Sequence, residues 1–444
     1  MADQCGDRLA VVISGDTPQC ESGKLLSARL IDNGKGKTEA EEVFKSISEW
    51  NVQDSICAQC FDTTASNTGV NKGAGVELEK KLKRKLLWLP CRHHIAELHV
   101  ESAYETVFGK DKSPYYKKFK EFQACWKDLD TRKYDPLMID PWMQTKVPEI
   151  VQFCQNALSN DKIARNDYKE CIELVLATLG FPPENFEFKK PGALHKARFM
   201  ALIIYGLKIF LLRKVLKESR GEQTKLKRFA IFICLYYIRY WLLSPMASDA
   251  PFVDLKLYKD MLEFEQHDPQ ISHAVRNKLN GHTWYLGEEY AVFNLFSNYV
   301  PDQTKQKIVQ KLLTVKPLKT YKFGPPIQPS LPSNIKSGMQ KCVSDFVGER
   351  SHFLFDVLKF DKSWLHEPIS TWKHNHSYCV MERYVKTLLV TNDCAERAIK
   401  LLSDYVDCLT KDSAERENLL QVVEAHRTIY KDCNKSTLSK EFSL

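Results

Sequence analysis

The sequence has no uninterrupted run of about 18 apolar residues, the length that a membrane-crossing helix needs. Its two most apolar stretches, residues 201–212 (ALIIYGLKIFLL) and 229–243 (FAIFICLYYIRYWLL), are interrupted by Lys208 and Arg239. They are expected to be buried helices of a large helical domain, with no membrane as partner. The start, MADQCGDRLA, is polar and has no apolar h-region, so no secretory signal is expected. The 14 cysteines are scattered, and some sit in apolar runs, as Cys234 does. They read as reduced thiols of a nuclear or cytoplasmic protein. A repeat of fixed period is missing, as is a Cys/His set of the kind that builds an N-terminal zinc finger. A strong charge bias is missing too. The 64 Lys and Arg against 56 Asp and Glu leave +8, a mild excess that does not by itself imply nucleic acid.

What is present begins with strand signals. RLAVVIS (8–14) and GKLLSARLI (23–31) are rich in β-branched and apolar residues and flank a Gly/Asp/Pro turn, which predicts a hairpin. Residues 38–50 place Ala40, Val43, Phe44, Ile47 and Trp50 at helical spacing. SICAQCF (55–61) predicts a third strand ending at Asp62, followed by the loop DTTASNTG. A helix is expected over 74–83, a short strand over 85–90, and a helix from near Cys91 to about Phe108. From about Lys110 to about Ser377 only helical periodicity appears, with a Pro-rich loop at 323–333. Met381 to Leu409 predicts a further helix with a break near 391–393. The expected organisation is therefore a first α+β part (1–109), an all-α block (110–379) and a C-terminal part (380–444).

Four features could carry chemistry. Asp62 ends a buried strand and enters a Gly/Asn loop, where a carboxylate could hold a divalent cation or simply open a turn. Cys91 and His94 form a Cys-x-x-His pair at a strand–helix junction. A zinc site shared with Cys57 and Cys60 is disfavoured, because residues three apart on a strand point to opposite faces. Glu396 lies beside the stripe Ala395, Ile399, Leu402, Val406; with Asp393 it also fits a helix cap. Two basic stripes, Lys80, Lys81, Lys83, Arg84, Lys85 and a second containing Lys225, Lys227 and Arg228, could contact phosphates or be solvated helix faces.

The motifs FDTTASNTG (61–69), LLWLPCRHHIAEL (86–98), PGALHKARFM (191–200), LSPMASDAPFVDLKLYKDMLEF (243–264) and CAERAI (394–399), in this order, resemble the hAT superfamily of DNA transposases and transposon-derived relatives. The resemblance runs from about Arg8 to Leu409. It implies a ribonuclease-H-like mixed sheet interrupted by a large all-α insertion, so the fold expected is α+β and mostly α. It implies Asp62 and Glu396 as catalytic carboxylates and metal ligands, with Mg²⁺ or Mn²⁺ as the cofactor of any activity that remains. It also implies that Cys91 and His94 shape the site. Arg198 and Phe199 would stand where relatives carry Arg-Trp, with the aromatic suited to stacking on an unpaired base.

The ribonuclease H fold places three antiparallel strands before its first helix, whereas only two strand signals precede residue 38 here. The first strand, which carries the first catalytic Asp, is expected to be missing; Asp16 would serve only if RLAVVIS were that strand. The expected function is thus a DNA-binding, transposase-derived protein that is catalytically incomplete, with a homo-oligomer as a possible further assembly. An active metal-dependent transposase or nuclease with a displaced carboxylate is the first alternative, and a protein-interaction scaffold the second.

Overall fold

The computed structural model describes residues 8–15, 20, 23–110, 116–159, 163, 165–192, 200–392 and 415. The hairpin forms as its alternation predicts: β1 (Arg8–Ile13) and β2 (Lys24–Leu30) pair antiparallel, Arg8 opposite Leu30 and Ile13 opposite Lys24. The register slips between Val11 and Val12, a bulge that increases local twist. Helix α1 (Gly36–Glu49) packs on this hairpin. Val11, Leu26, Ala40, Ile47 and Trp50 close a small core there, with Leu78 and Leu86.

β3 (Ala58–Phe61) starts later than SICAQCF suggests, because Gln53–Ser55 take a 3-10 turn. It runs parallel to β4 (Leu87–Pro90), with Phe61 level with Pro90. A parallel pair needs a crossover connection, and α2 (Ala74–Leu82) supplies it. That helix lies directly on the strand: a Cβ built at Gly75 would stand 2.8 Å from the Trp88 ring.

Among the described residues the strands do not join in the single mixed sheet expected from the sequence. The strands make two separate two-stranded ladders, β1–β2 and β3–β4. A ladder grows only where a neighbour presents backbone donors and acceptors, and among the described residues no further strand pairs with either. The two ladders are joined through side chains instead, by α1 packing on β1, β2 and α2. β4 is buried at every residue, while β3 stays half-exposed. The coarser class holds: α+β, with helix dominant.

After β4 every described element is helical. The main ones are α3 (Arg92–Phe108), α4 (Lys117–Cys125), α5 (Val147–Leu158), α6 (Asn166–Thr178) and α7 (Ala201–Leu211). There follow α8 (Arg220–Phe232), a π turn (Ile233–Tyr237), α9 (Ile238–Leu243), α10 (Ala250–Phe264) and α11 (Pro269–Asn280). α12 (Asp302–Thr314) and α13 (His376–Thr387) complete the set. The apolar stretches at 201–212 and 229–243 are buried in this body, and no described helix is long and apolar enough to cross a membrane.

The hydrophobic core does not break at residues 109–110. α3 packs on α7, α8 and α11, and its Ile95, Ala96, Val100 and Ala103 share one cluster with Leu87, Leu89 and the helical body. The Pro-rich segment 323–333 is a loop strapped down by its backbone. Tyr258 donates to Pro332 O, Thr283 to Pro329 O at 2.7 Å, and Gly324 N donates to Glu79 at 2.6 Å.

Candidate functional site

The parallel ladder sets the position of Asp62. The last β3–β4 rung is continued by Cys91 N donating to Phe61 O at 2.7 Å, so Asp62 leaves β3 beside the start of α3. Its Oδ1 accepts three hydrogen bonds, from Thr64 N (3.0 Å), Thr64 Oγ1 (2.6 Å) and Asn67 Nδ2 (2.8 Å). Partial burial works against the charge, but these bonds and the nearby His94 outweigh it and hold the carboxyl below its usual range. Asp62 is thus an ionised carboxylate that also opens its turn, which joins the two readings of the sequence.

The first helical turn after β4 sends three successive side chains to three different places. Arg92 is fully buried: it pairs with Asp254, donates to Ser244 O at 3.2 Å, and sits 5.5 and 5.3 Å from the Tyr240 and Tyr285 rings. His93 stacks on Trp241, ring centroids 4.0 Å apart. His94 stays half-buried and feels Asp62; desolvation lowers its pKa, with Asp62 and Glu101 opposing. Cys91 caps the helix by accepting from His94 N at 3.4 Å. Its Sγ also donates to Asn392 Oδ1 at 2.9 Å, and Arg92 N donates to Val390 O at 2.8 Å.

Residues from opposite ends of the chain therefore meet at Cys91. Asn392 comes four positions before Glu396 in sequence. Glu396 itself lies outside the described residues, as do Arg198, Phe199 and Asp16. Cys57 contacts Tyr384, Sγ to hydroxyl 2.9 Å. Among the described residues no group of three or more His, Cys, Asp or Glu side chains is placed to hold a metal ion.

Two residues, one beside Asp62 and one beside His94, were not singled out from the sequence. Glu39, in the first turn of α1, has a fully enclosed Oε2 with no hydrogen-bond partner among the described residues, and its pKa is raised by burial and by the charge of Asp62. In sequence it is one of several acids on an amphipathic helix, and nothing marks it. His282 follows α11 and is coupled to His94 and Lys278; burial and these charges lower its pKa to about 4. As possible cation ligands, Asp62 offers the oxygen that its turn leaves free and Glu39 offers Oε2.

The basic stripes are largely committed to partners. Lys85, expected to contact DNA, is instead buried: its ammonium meets Glu79 at 2.9 Å and Gly324 O. Glu79, with no exposure, also accepts from Leu86 N and Trp88 Nε1, so the pair closes the junction of α2, β4 and the Pro-rich loop. Glu79 falls on the apolar stripe of α2, between Val76 and Leu82, which is the sequence signal that could have found it. Lys80 binds Glu77 at 2.6 Å, Lys81 reaches Glu41 at 3.7 Å, and Arg84 holds the carbonyls of Gln53 and Asp54. Lys83 is exposed in a left-handed C-cap, φ 54°. In the second stripe Lys225 pairs with Glu222 (2.7 Å) and Lys227 with Asp140 (3.0 Å). Arg228 grips Asp268 through two hydrogen bonds at 2.7 and 2.9 Å.

Compared with known proteins, the chain matches no family model, no curated protein and no solved structure.

Proposed function

We propose that this chain is the ribonuclease-H-like body of a transposase-derived protein of the hAT type, which binds DNA and does not cleave it at a useful rate. The observation that carries the reading is the Cys91 junction. The end of the Asp62 strand and the segment leading to Glu396 meet at one residue, Cys91, the first on its backbone N–H and the second on its thiol, with the whole helical block between them in sequence. A catalytic core split by an insertion requires that juxtaposition. In the same turn Arg92 is clamped by Asp254 of the LSPMASDAPFVDLK motif, so two of the motifs behind the resemblance are in contact.

The reading of poor cleavage rests on ligand supply. Two-metal phosphodiester chemistry needs carboxylates converging on ions about 3.5–4 Å apart. A bound Mg²⁺ would stabilise developing charge on phosphate oxygens. Near this point the described chain offers Asp62 and Glu39, enough for a single hydrated ion. Losing one ion's share of transition-state stabilisation costs roughly tenfold in rate per 1.4 kcal/mol.

Glu39 also favours a second reading, an active nuclease in which it serves as a displaced carboxylate. One assay separates the two. Purified chain is incubated with duplex, nicked and hairpin DNA in Mg²⁺ or Mn²⁺, and binding is followed in parallel. Binding without products supports the proposal. Cleavage that is abolished by Asp62→Asn and by Glu39→Gln establishes the active nuclease instead, and absence of binding refutes both.

A further inference from the structure

We propose that four exposed lysines around Asp62, namely Lys35, Lys37, Lys72 and Lys278, form the surface that holds the phosphodiester backbone of a nucleic acid; this rests on the DNA-binding reading above. All four are exposed, and none makes an ion pair among the described residues. That distinguishes them from Lys225, Lys227 and Arg228, whose cationic groups already meet carboxylates.

Backbone contact places the first three together. Gly36 sits so close to the loop opened by Asp62 that a Cβ there would collide with Ser66 O and stand 2.6 Å from Lys72 O. The start of α1 is thus pressed onto that loop. Lys35 and Lys37 flank the contact on one side and Lys72 lies on the other. The same turn of α1 carries Glu39, which feels the Asp62 charge.

Lys278 arrives from the helical body. Ser102 of α3 donates to Ala274 O of α11 at 3.1 Å. The two helices pack antiparallel there, so equal steps back along α3 and forward past α11 bring His94 opposite His282. The charge of His94 felt at His282 agrees with this register. Lys278 occupies the last turn of α11, at the same end as His94 and hence Asp62.

Charge is sorted by depth. The nearby acids Glu39, Asp62 and Glu101 are half-buried, and Asp62 spends one oxygen on its own turn; Asp32 is the exposed acid in the neighbourhood. The lysines of this surface are thus solvent-exposed, while three of the acids near them are partly withdrawn from solvent. A phosphate that binds a paired lysine must break the pair first, whereas an unpaired lysine only releases its counterion. Long flexible lysine stems also suit a backbone read as charge and not as sequence.

The test compares three variants of the full chain by fluorescence anisotropy on duplex and single-stranded oligonucleotides across a salt series. Removing Lys35, Lys37, Lys72 and Lys278 together (each to Ala) should make the slope of log affinity against log salt shallower by about three to four, since each phosphate contact contributes nearly one. Restoring the charge with Arg at all four should recover most of the slope. Lys225→Ala, Lys227→Ala and Arg228→Ala combined should change it by less than about one. Circular dichroism and the unfolding midpoint should stay those of wild type in the two four-lysine variants. The inference alone falls if wild type binds and the four-lysine variant keeps its slope, or if the stripe variant is the one that loses it. A wild type that binds phosphatidylserine-containing vesicles but no oligonucleotide overturns it together with the DNA-binding reading.

Discussion

Arg92 shows what the Cys91-Arg92-His93-His94 run achieves at the level of single residues. Its guanidinium has no exposure and answers the buried Asp254. Arg92→Ala would leave that carboxylate enclosed without its cation, an error that costs about 3–5 kcal/mol. Urea unfolding of the variant measures it; a loss below about 1 kcal/mol would show that Asp254 is compensated elsewhere. His99, about two turns beyond Arg92, makes a different prediction. It is buried, neither ring nitrogen has a hydrogen-bond partner among the described residues, and burial followed by the charges of His282, Lys278 and Arg92 lowers its pKa to about 3. An unfolded chain protonates this imidazole near pH 6.5 and the folded chain does not. Between those values the unfolded state binds more protons, so this contribution to stability is complete above about pH 6.5 and is lost as pH falls. By pH 5 the loss should be about 2 kcal/mol. Unfolding midpoints at several pH values should show it, and His99→Phe should flatten the dependence; a dependence unchanged in that variant would place its origin elsewhere.

At the scale of elements, the close packing of α2 on β4 makes a test out of one glycine. Gly to Ala inside a helix ordinarily stabilises by about 1 kcal/mol. At Gly75 the new methyl would meet the Trp88 ring at 2.8 Å, so Gly75→Ala should instead destabilise by about 1–3 kcal/mol, read from thermal or urea unfolding. A stabilised variant would mean that Trp88 can move aside. The elements themselves were legible because their signals are local. The helix expected from near Cys91 to about Phe108 is found at Arg92–Phe108, and the hairpin strands fall within a residue or two of their apolar runs. The β1–β2 pairing was legible from the turn between two adjacent strand signals, whereas the separation of the strands into two ladders was not, because it is decided by neighbours distant in sequence. The partners of the basic stripes were not legible for the same reason. Arg228 is answered by Asp268 and Lys227 by Asp140, partners that no local pattern of charge reveals, and Lys85 was drawn inside by Glu79. Asp62 was legible as a residue that ends a strand, whereas Glu39 beside it was not, since its position depends on how α1 meets a loop from elsewhere in the chain.

Across the whole molecule, the helical body and the β3–β4 unit share one hydrophobic core, and the chain returns from that body to Cys91 through Val390 and Asn392. This continuity makes the helical block part of the frame that positions Asp62, His94 and the surrounding lysines, and it places the proposed nucleic-acid surface where body and ladder meet. The central claim is that this surface binds nucleic acid through charge. The most direct measurement is the affinity of the full chain for a mixed-sequence DNA duplex as salt rises from about 50 to about 200 mM. With four phosphates neutralised, log affinity should fall linearly with log salt and lose about a hundredfold over that range. Binding that ignores salt, or no binding at the lowest salt, would contradict the account.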